Sequence, residues 1–197
     1  MKSRFEDFQF DHSDQTKVEP GTLLVASPAL ENTSFRRSVV LVLQNNEEGI
    51  FGVVLNRRPN DKVMTAWHQI AGENDSAEKV LQGGPIGGPV FTLHTDRNLA
   101  EHEVFQGVYV SKANRDHLEM FDDQKTEYRV VFGLAGWKKG QLQEEVEQGV
   151  WLPLAGDQTL VFDDPELLWE TSLIEFSRET LKDVLGLSGL PASALDN

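Results

Sequence analysis

No cysteine occurs in the 197 residues, which excludes disulfides, thiolate zinc centres, iron–sulfur clusters and a cysteine nucleophile. No apolar run approaches the roughly 20 residues a membrane-spanning helix needs. The opening residues alternate charge with phenylalanine and lack the continuous apolar segment of a secretory signal. Positive charge is scarce as well: Lys and Arg total 18 against 32 Asp and Glu, a formal charge of −14. A field of that sign repels phosphate backbones and anionic lipid. Direct nucleic acid binding and membrane association are therefore not expected, and the chain reads as a soluble cytoplasmic protein. Neither a dinucleotide fingerprint nor a Walker loop is present, and the histidines match no zinc spacing. No cofactor and no metal are expected.

What is present has an ordinary globular balance, with 39% hydrophobic and 25% charged residues. Residues 1–19 read as a flexible arm, 20–184 as one folded domain, and 185–197 as a fraying tail rich in glycine and small residues. The pattern predicts strands over 23–26, 38–44, 50–55, 90–95, 104–111, 128–134 and 159–162, and helices over 64–71, 114–121, 141–148 and 166–176. Strands outnumber helices and do not alternate with them, which points to an α+β arrangement rather than a doubly wound parallel sheet. The run Val39-Val40-Leu41-Val42-Leu43 is apolar at every position, so both of its faces are expected to be covered.

The second and third strands read as a hairpin with its turn over 45–49. Pairing Gln44 near Ile50 brings Ser38 opposite Asn56 and Arg37 opposite Arg57. Arg36, Arg37, Arg57 and Arg58 then gather at the open end, where opposed like charges need acids or a bound anion. Guanidinium forks suit carboxylate or phosphate. Arg37, Ser38, Asn56 and Arg57 are thus candidate ligands for a small anion, against the alternative that the arginines pair with local acids or face water. Residues 141–183 carry eleven acids against two bases, which reads either as a solvated face that keeps the protein soluble or as a surface for a basic partner protein, the other partner expectation.

Two further features invite chemistry. Ser38 and His94 are candidate catalytic groups for a small hydrolase or transferase, with Ser38 as nucleophile and His94 as base, although no nucleophile elbow surrounds the serine. Trp137 either clamps a short helix to the sheet with its glutamates facing water, or walls a polar pocket with Gln141 and Glu144 or Glu145 as its polar groups. The segment Gly83-Gly84-Pro85-Ile86-Gly87-Gly88-Pro89 reads as turns that let backbones pass closely, since its prolines remove phosphate-binding N–H groups.

Taken in order, Gly21-Thr-Leu-Leu-Val-Ala-Ser-Pro28, Phe35-Arg-Arg-Ser38, Gly52-Val-Val-Leu-Asn56-Arg57, Gly83-Gly84-Pro85, Leu93-His94 and Gly136-Trp137-Lys-Lys-Gly140-Gln141-Leu142 resemble the YqgE/AlgH family of bacterial proteins, over about residues 21–176. The resemblance implies a single α+β domain whose mostly antiparallel, bifurcated sheet folds into a pseudo-barrel with short flanking helices. It implies no activity. The family's regulator label has no helix-turn-helix to rest on here, so any regulatory role would act indirectly. Its shared motifs fall on Ser38, Asn56, Arg57, Gly83, Gly84, Pro85, His94, Trp137, Gln141 and Glu145. Gln44-Asn45-Asn46 stands where members often carry Glu-His-Asn.

Overall fold

The apolar run at Val39 lies in the middle of a sheet, as its composition requires. The computed structural model describes residues 18–31, 33–71, 77–123 and 125–186. Within them the strands are β1 (Leu23–Ala26), β2 (Val39–Asn46), β3 (Gly49–Val54), β4 (Val80–Gln82), β5 (Ile86–His94), β6 (His102–Phe105), β7 (Val108–Lys112), β8 (Tyr128–Trp137) and β9 (Trp151–Leu154). The helices are α1 (Asp61–Ala71), α2 (Arg115–Asp123), α3 (Gln141–Glu147), α4 (Gln158–Phe162) and α5 (Leu168–Val184). The sheet runs β6-β7-β5-β8-β3-β2-β1-β9 and curls into a half-barrel. The α+β class follows directly, and the mostly antiparallel sheet is bifurcated.

Alternation along β2 explains why its first positions, from Val39 to Val42, are all apolar. Val39 and Leu41 join Leu23, Val25 and Val53 in a layer closed by Leu160, Phe162 and Leu168 of α4 and α5. Val40 and Val42 join Leu24, Trp137 and Trp151 in the opposite layer, closed by Leu142 and Val146 of α3. Each such side chain contributes about 1.5–3 kcal/mol by leaving water. A third cluster places Trp67 of α1 and Leu118 and Phe121 of α2 against Tyr128, Val130 and Phe132 of β8.

The fork lies at β8. Its first half pairs in parallel with β4, Val80 with Val130 through Gln82 with Phe132. Its last residues pair antiparallel with β3, Gly52 with Ala135 and Ile50 with Trp137. Along its other edge runs β5, from Ile86 opposite Leu134 to His94 opposite Tyr128. Gly83 joins the prongs: its N–H donates to Phe132 O at 2.8 Å and its carbonyl accepts from Val54 N at 2.8 Å. A Cβ on Gly83 would stand 2.5 Å from Gly133 O, and one on Gly84 would overlap the Leu134 carbonyl. The close passage expected of the Gly83-Gly84-Pro85 segment is therefore what builds the fork.

Four expectations need correction. Residues 159–162 form α4 rather than a strand, because the Asp157 carboxylate accepts Thr159 N at 2.6 Å and starts a helix. The predicted strand 104–111 is a hairpin, broken at Gln106-Gly107, where Gly107 takes φ +88°. β2 continues through Asn45 and Asn46, so the hairpin turn is Glu47-Glu48 and Gln44 faces Phe51 rather than Ile50. A bulge at Leu43 restores the predicted register from Val42 opposite Gly52 to Val40 opposite Val54. The last helix runs to Val184, eight residues past its expected end. Residues 1–17 of the expected arm and 187–197 of the expected tail lie outside the described residues, whereas Val18 is buried in the core.

Gly84→Ala is expected to lower unfolding free energy by about 2 kcal/mol or more in urea titration, because backbone must move. Gly87→Ala, whose Cβ would meet nothing within 4 Å, should stay within about 0.5 kcal/mol of the parent.

Candidate anion-binding site

The chain enters β2 through a tight loop, 33–38, and leaves β3 toward α1. Past the last paired residues of the hairpin, the Asn56 side chain takes over from the backbone ladder. Its Oδ1 accepts from Val39 N at 3.0 Å and its Nδ2 donates to Arg37 O at 2.7 Å. That second bond reaches the carbonyl of a residue at φ +53°, a conformation most side chains avoid. Asn56 thus clasps the loop that presents Arg36 and Arg37.

Arg57 turns inward. Its Nη2 donates to Ser38 Oγ at 2.9 Å, and Ser38 is buried. Partial burial removes water from the guanidinium and lowers its pKa. The Arg37 guanidinium lies 5.0 Å from the ring centre of Trp169 on α5, and the indole Nε1 donates to Ala26 O at 2.8 Å. Arg58 turns away and pairs with Glu166 through Nε and Nη2. Together Arg36, Arg37, Asn56 and Arg57 border an open cleft of about 330 Å³ whose other side is Pro165, Glu166, Trp169 and Glu170. Among the described residues, Arg36, Arg37 and Arg57 have no carboxylate within 4.0 Å. Trp169, which closes the cleft, escaped sequence reasoning, since a tryptophan on an amphipathic helix reads as core.

The Trp137, Gln141 and Glu145 group closes on itself. Glu145 Oε2 accepts from the indole N–H of Trp137 and of Trp151, each at 2.9 Å, while Oε1 accepts from Gln141 Nε2 at 2.9 Å. Phe35 stacks on Trp137 at 6.2 Å and meets Trp151 edge-on at 5.7 Å. The carboxylate spends its lone pairs on holding α3 to β8 and β9. These residues pack in the layer opposite the one that Trp169 joins.

His94 and Ser38 are not brought together, since β8 and β3 lie between their strands. His94 is fully buried; its Nε2 lies 2.8 Å from Ser111 Oγ, and that hydroxyl donates to Leu99 O. With its only hydrogen committed, Ser111 Oγ accepts, so Nε2 carries the proton. Phe121 stacks near the imidazole at 4.7 Å. Burial holds the His94 pKa below its ordinary value, with Asp96 opposing only in part. Among the described residues no group of three or more His, Asp or Glu is placed to hold a metal ion.

Sequence reasoning also missed Arg129. It interrupts the apolar run Tyr128–Leu134, and a lone arginine in a buried strand was the signal that could have found it. Its Nη2 donates to Phe162 O at 2.7 Å and Asp163 O at 3.2 Å, and desolvation lowers its pKa.

Two expectations follow. Glu145→Ala strands two buried indole N–H groups and should cost about 2–4 kcal/mol in urea unfolding, with Glu145→Gln costing less because its amide oxygen still accepts. His94 is neutral in the folded protein, so its contribution is complete above the unfolded pKa near about 6.5 and declines as pH falls from there toward the lowered folded value. The denaturation midpoint should therefore fall as pH is lowered below about 6.5, and less steeply in a folded His94→Gln variant.

The comparisons with known proteins agree with this architecture. Residues 23–180 match the AlgH-like family model. A UPF0301 protein from Chlorobium limicola is 34% identical over 167 residues, covering 80% of this chain and 86% of that protein. A UPF0301 protein from Xanthomonas campestris pv. campestris is 36% identical over 161 residues, covering 76% and 85%. The solution structure of AlgH from Pseudomonas aeruginosa superposes with a TM-score of 0.62 at 21% identity, covering 89% of this chain and 99% of that one. Protein DIP2367 from Corynebacterium diphtheriae gives a TM-score of 0.60 at 23% identity, covering 78% and 84%. At those identities the solved structures speak for the fold alone, while the extent of the family match decides membership: this chain belongs to the AlgH-like family.

Proposed function

We propose that the protein is a non-enzymatic binding domain that takes a small anion in the cleft bordered by Arg37, Asn56 and Arg57. One observation carries this reading. In a chain with 32 acids and 18 bases, three clustered arginines have no carboxylate within ion-pair distance among the described residues. Arg36 and Arg37 are exposed and Arg57 is partly desolvated with only the neutral Ser38 hydroxyl as acceptor, so an incoming anion would meet guanidinium charge that no carboxylate has neutralised.

The local geometry supports it further. Arg57 gives one hydrogen bond to Ser38 and keeps the rest of its fork for a ligand. Partial desolvation of Arg57 strengthens any charge pair it forms, because less water competes. Asn56 and Trp169 hold Arg37 from two sides, which reduces the ordering cost on binding. Ser38 serves here as a support for Arg57 rather than as a nucleophile. A regulatory role would follow if ligand occupancy altered the surface offered to a partner protein. The cytoplasm, where small phosphorylated and carboxylated metabolites are abundant, suits such a domain, and among the described residues no helix is long and apolar enough to cross a membrane.

Thermal shift with inorganic phosphate and with citrate tests the reading. A ligand at ten times its Kd should add about 1.4 kcal/mol of stability, roughly 3–6 °C for a chain of this size. Arg57→Ala and the exposed-loop variant Arg36→Ala should each reduce the shift. A flat response to both anions by the folded parent, or full retention of the shift in both variants, would overturn the anion site and redirect attention to a protein partner.

A further inference from the structure

The cleft at Arg57 does not end at Glu166. On the far side of the Arg58–Glu166 pair lies a second, larger hollow of about 930 Å³, whose charged border is Arg58, Lys79 and Arg129 together with Glu78, Asp164 and Glu166. Pro165 and Glu166 border both hollows, so the two meet along one ridge. Resting on the reading of Arg57 above, we infer that they form one groove for a small molecule carrying two or more phosphoryl groups, with Arg57 and Arg129 as fixed anchors and Arg58 as an exchangeable bridge.

Arg129 carries the argument. It extends from β8 and donates only to neutral acceptors: Tyr128 O at 3.3 Å, Phe162 O at 2.7 Å and Asp163 O at 3.2 Å. Its Nε is buried with no acceptor, and among the described residues no carboxylate lies within 4.0 Å. Glu127, Asp163 and Asp164 act on it only through space. A partly desolvated guanidinium whose bonds all go to uncharged oxygens retains its positive charge for something else. Its position is fixed by the sheet, since Arg129 pairs with Leu93 in the β5–β8 ladder.

The bridge is weak by construction. Arg58 is 76% exposed and Glu166 63% exposed, and ion pairs in that setting contribute little. A ligand phosphoryl group can therefore replace Glu166 at Arg58 at small cost. Lys79 contributes less, because it is held by Asp122 at 2.7 Å and sits over the Tyr128 ring at 3.9 Å. The combined space exceeds what one phosphate fills, and cavities of several hundred cubic ångströms suit metabolite-sized molecules. Arginine forks recognise planar pairs of phosphoryl oxygens. A long polyanion such as duplex DNA fits poorly, because it would reach beyond the groove over a protein whose whole chain carries a net charge of −14.

Isothermal titration of the full chain with inorganic phosphate and with tripolyphosphate, at matched ionic strength, tests this. Tripolyphosphate should bind at least tenfold more tightly than phosphate. Arg129→Met should weaken tripolyphosphate about tenfold and leave phosphate unchanged, whereas Arg57→Ala should weaken both. Glu166→Gln, an exposed substitution that does not threaten folding, should raise tripolyphosphate affinity severalfold and phosphate affinity less. Equal affinity of the parent for the two anions, or tripolyphosphate binding insensitive to both Arg129→Met and Glu166→Gln, would overturn the two-anchor groove. Phosphate binding that depends on Arg57 would then leave the simpler site standing, and no binding of either anion would remove both.

Discussion

The fold depends on how closely two stretches of backbone pass at the centre of β8. That strand gives one edge to β5 and divides the other between β4 and β3. The division requires the Gly83-Gly84 backbone to lie against Gly133 and Leu134 with no side chain between, a demand only glycine meets. Everything attached to the prongs takes its position from this contact. β3 carries the hairpin and its open end, where Asn56 and Arg57 sit. β4 follows α1 in the chain and pairs with β8 from Val130, one residue from Arg129.

Charge organisation in the domain has two styles. Carboxylates at the helix ends and between elements are used structurally: Asp157 starts α4, Glu145 joins two tryptophans, and Asp122 accepts from Lys79 and from the Tyr128 hydroxyl. Three of the arginines around the groove, Arg37, Arg57 and Arg129, are held instead by neutral groups. Arg57 is fixed by a hydroxyl, Arg129 by carbonyls, and Arg37 by an aromatic face and its own clasped backbone. Neutral supports orient a guanidinium without cancelling its charge, which separates a binding arginine from a structural one.

The sequence made local patterns legible and left tertiary arrivals hidden. The unbroken apolar run in β2 announced a strand covered on both faces, and the pairing toward Ser38 and Asn56 was right because the bulge at Leu43 absorbed the turn error. The gathering of arginines at the open end could be read from that register alone. Their fates could not. Trp169 reaches Arg37 from α5, and Glu166 takes Arg58 from the loop before it, more than a hundred residues away in the chain. Residues Thr159 to Phe162 are β-branched or aromatic enough to suggest a strand, and the Asp157 cap outweighed that preference. The edge strand β9 was missed because Pro153 interrupts it; a proline is tolerated at an edge, where one N–H has no partner to lose.

The pairing of β1 with β9 has a consequence for the order of events during synthesis. Leu23 to Ala26 bond on one side to β2, nearby in the chain, and on the other to Trp151 to Leu154. About 130 residues must therefore be made before β1 gains its outer neighbour. At roughly 5–20 residues per second, that is an interval of about 6–25 s on the ribosome. Through it, an apolar strand carries one open edge, the condition under which nascent sheets pair with the wrong chain. The outer edge of β1 is covered only once residues 151–154 have been made, so the interval of exposure is set by the chain length between the two strands and not by the strength of their pairing.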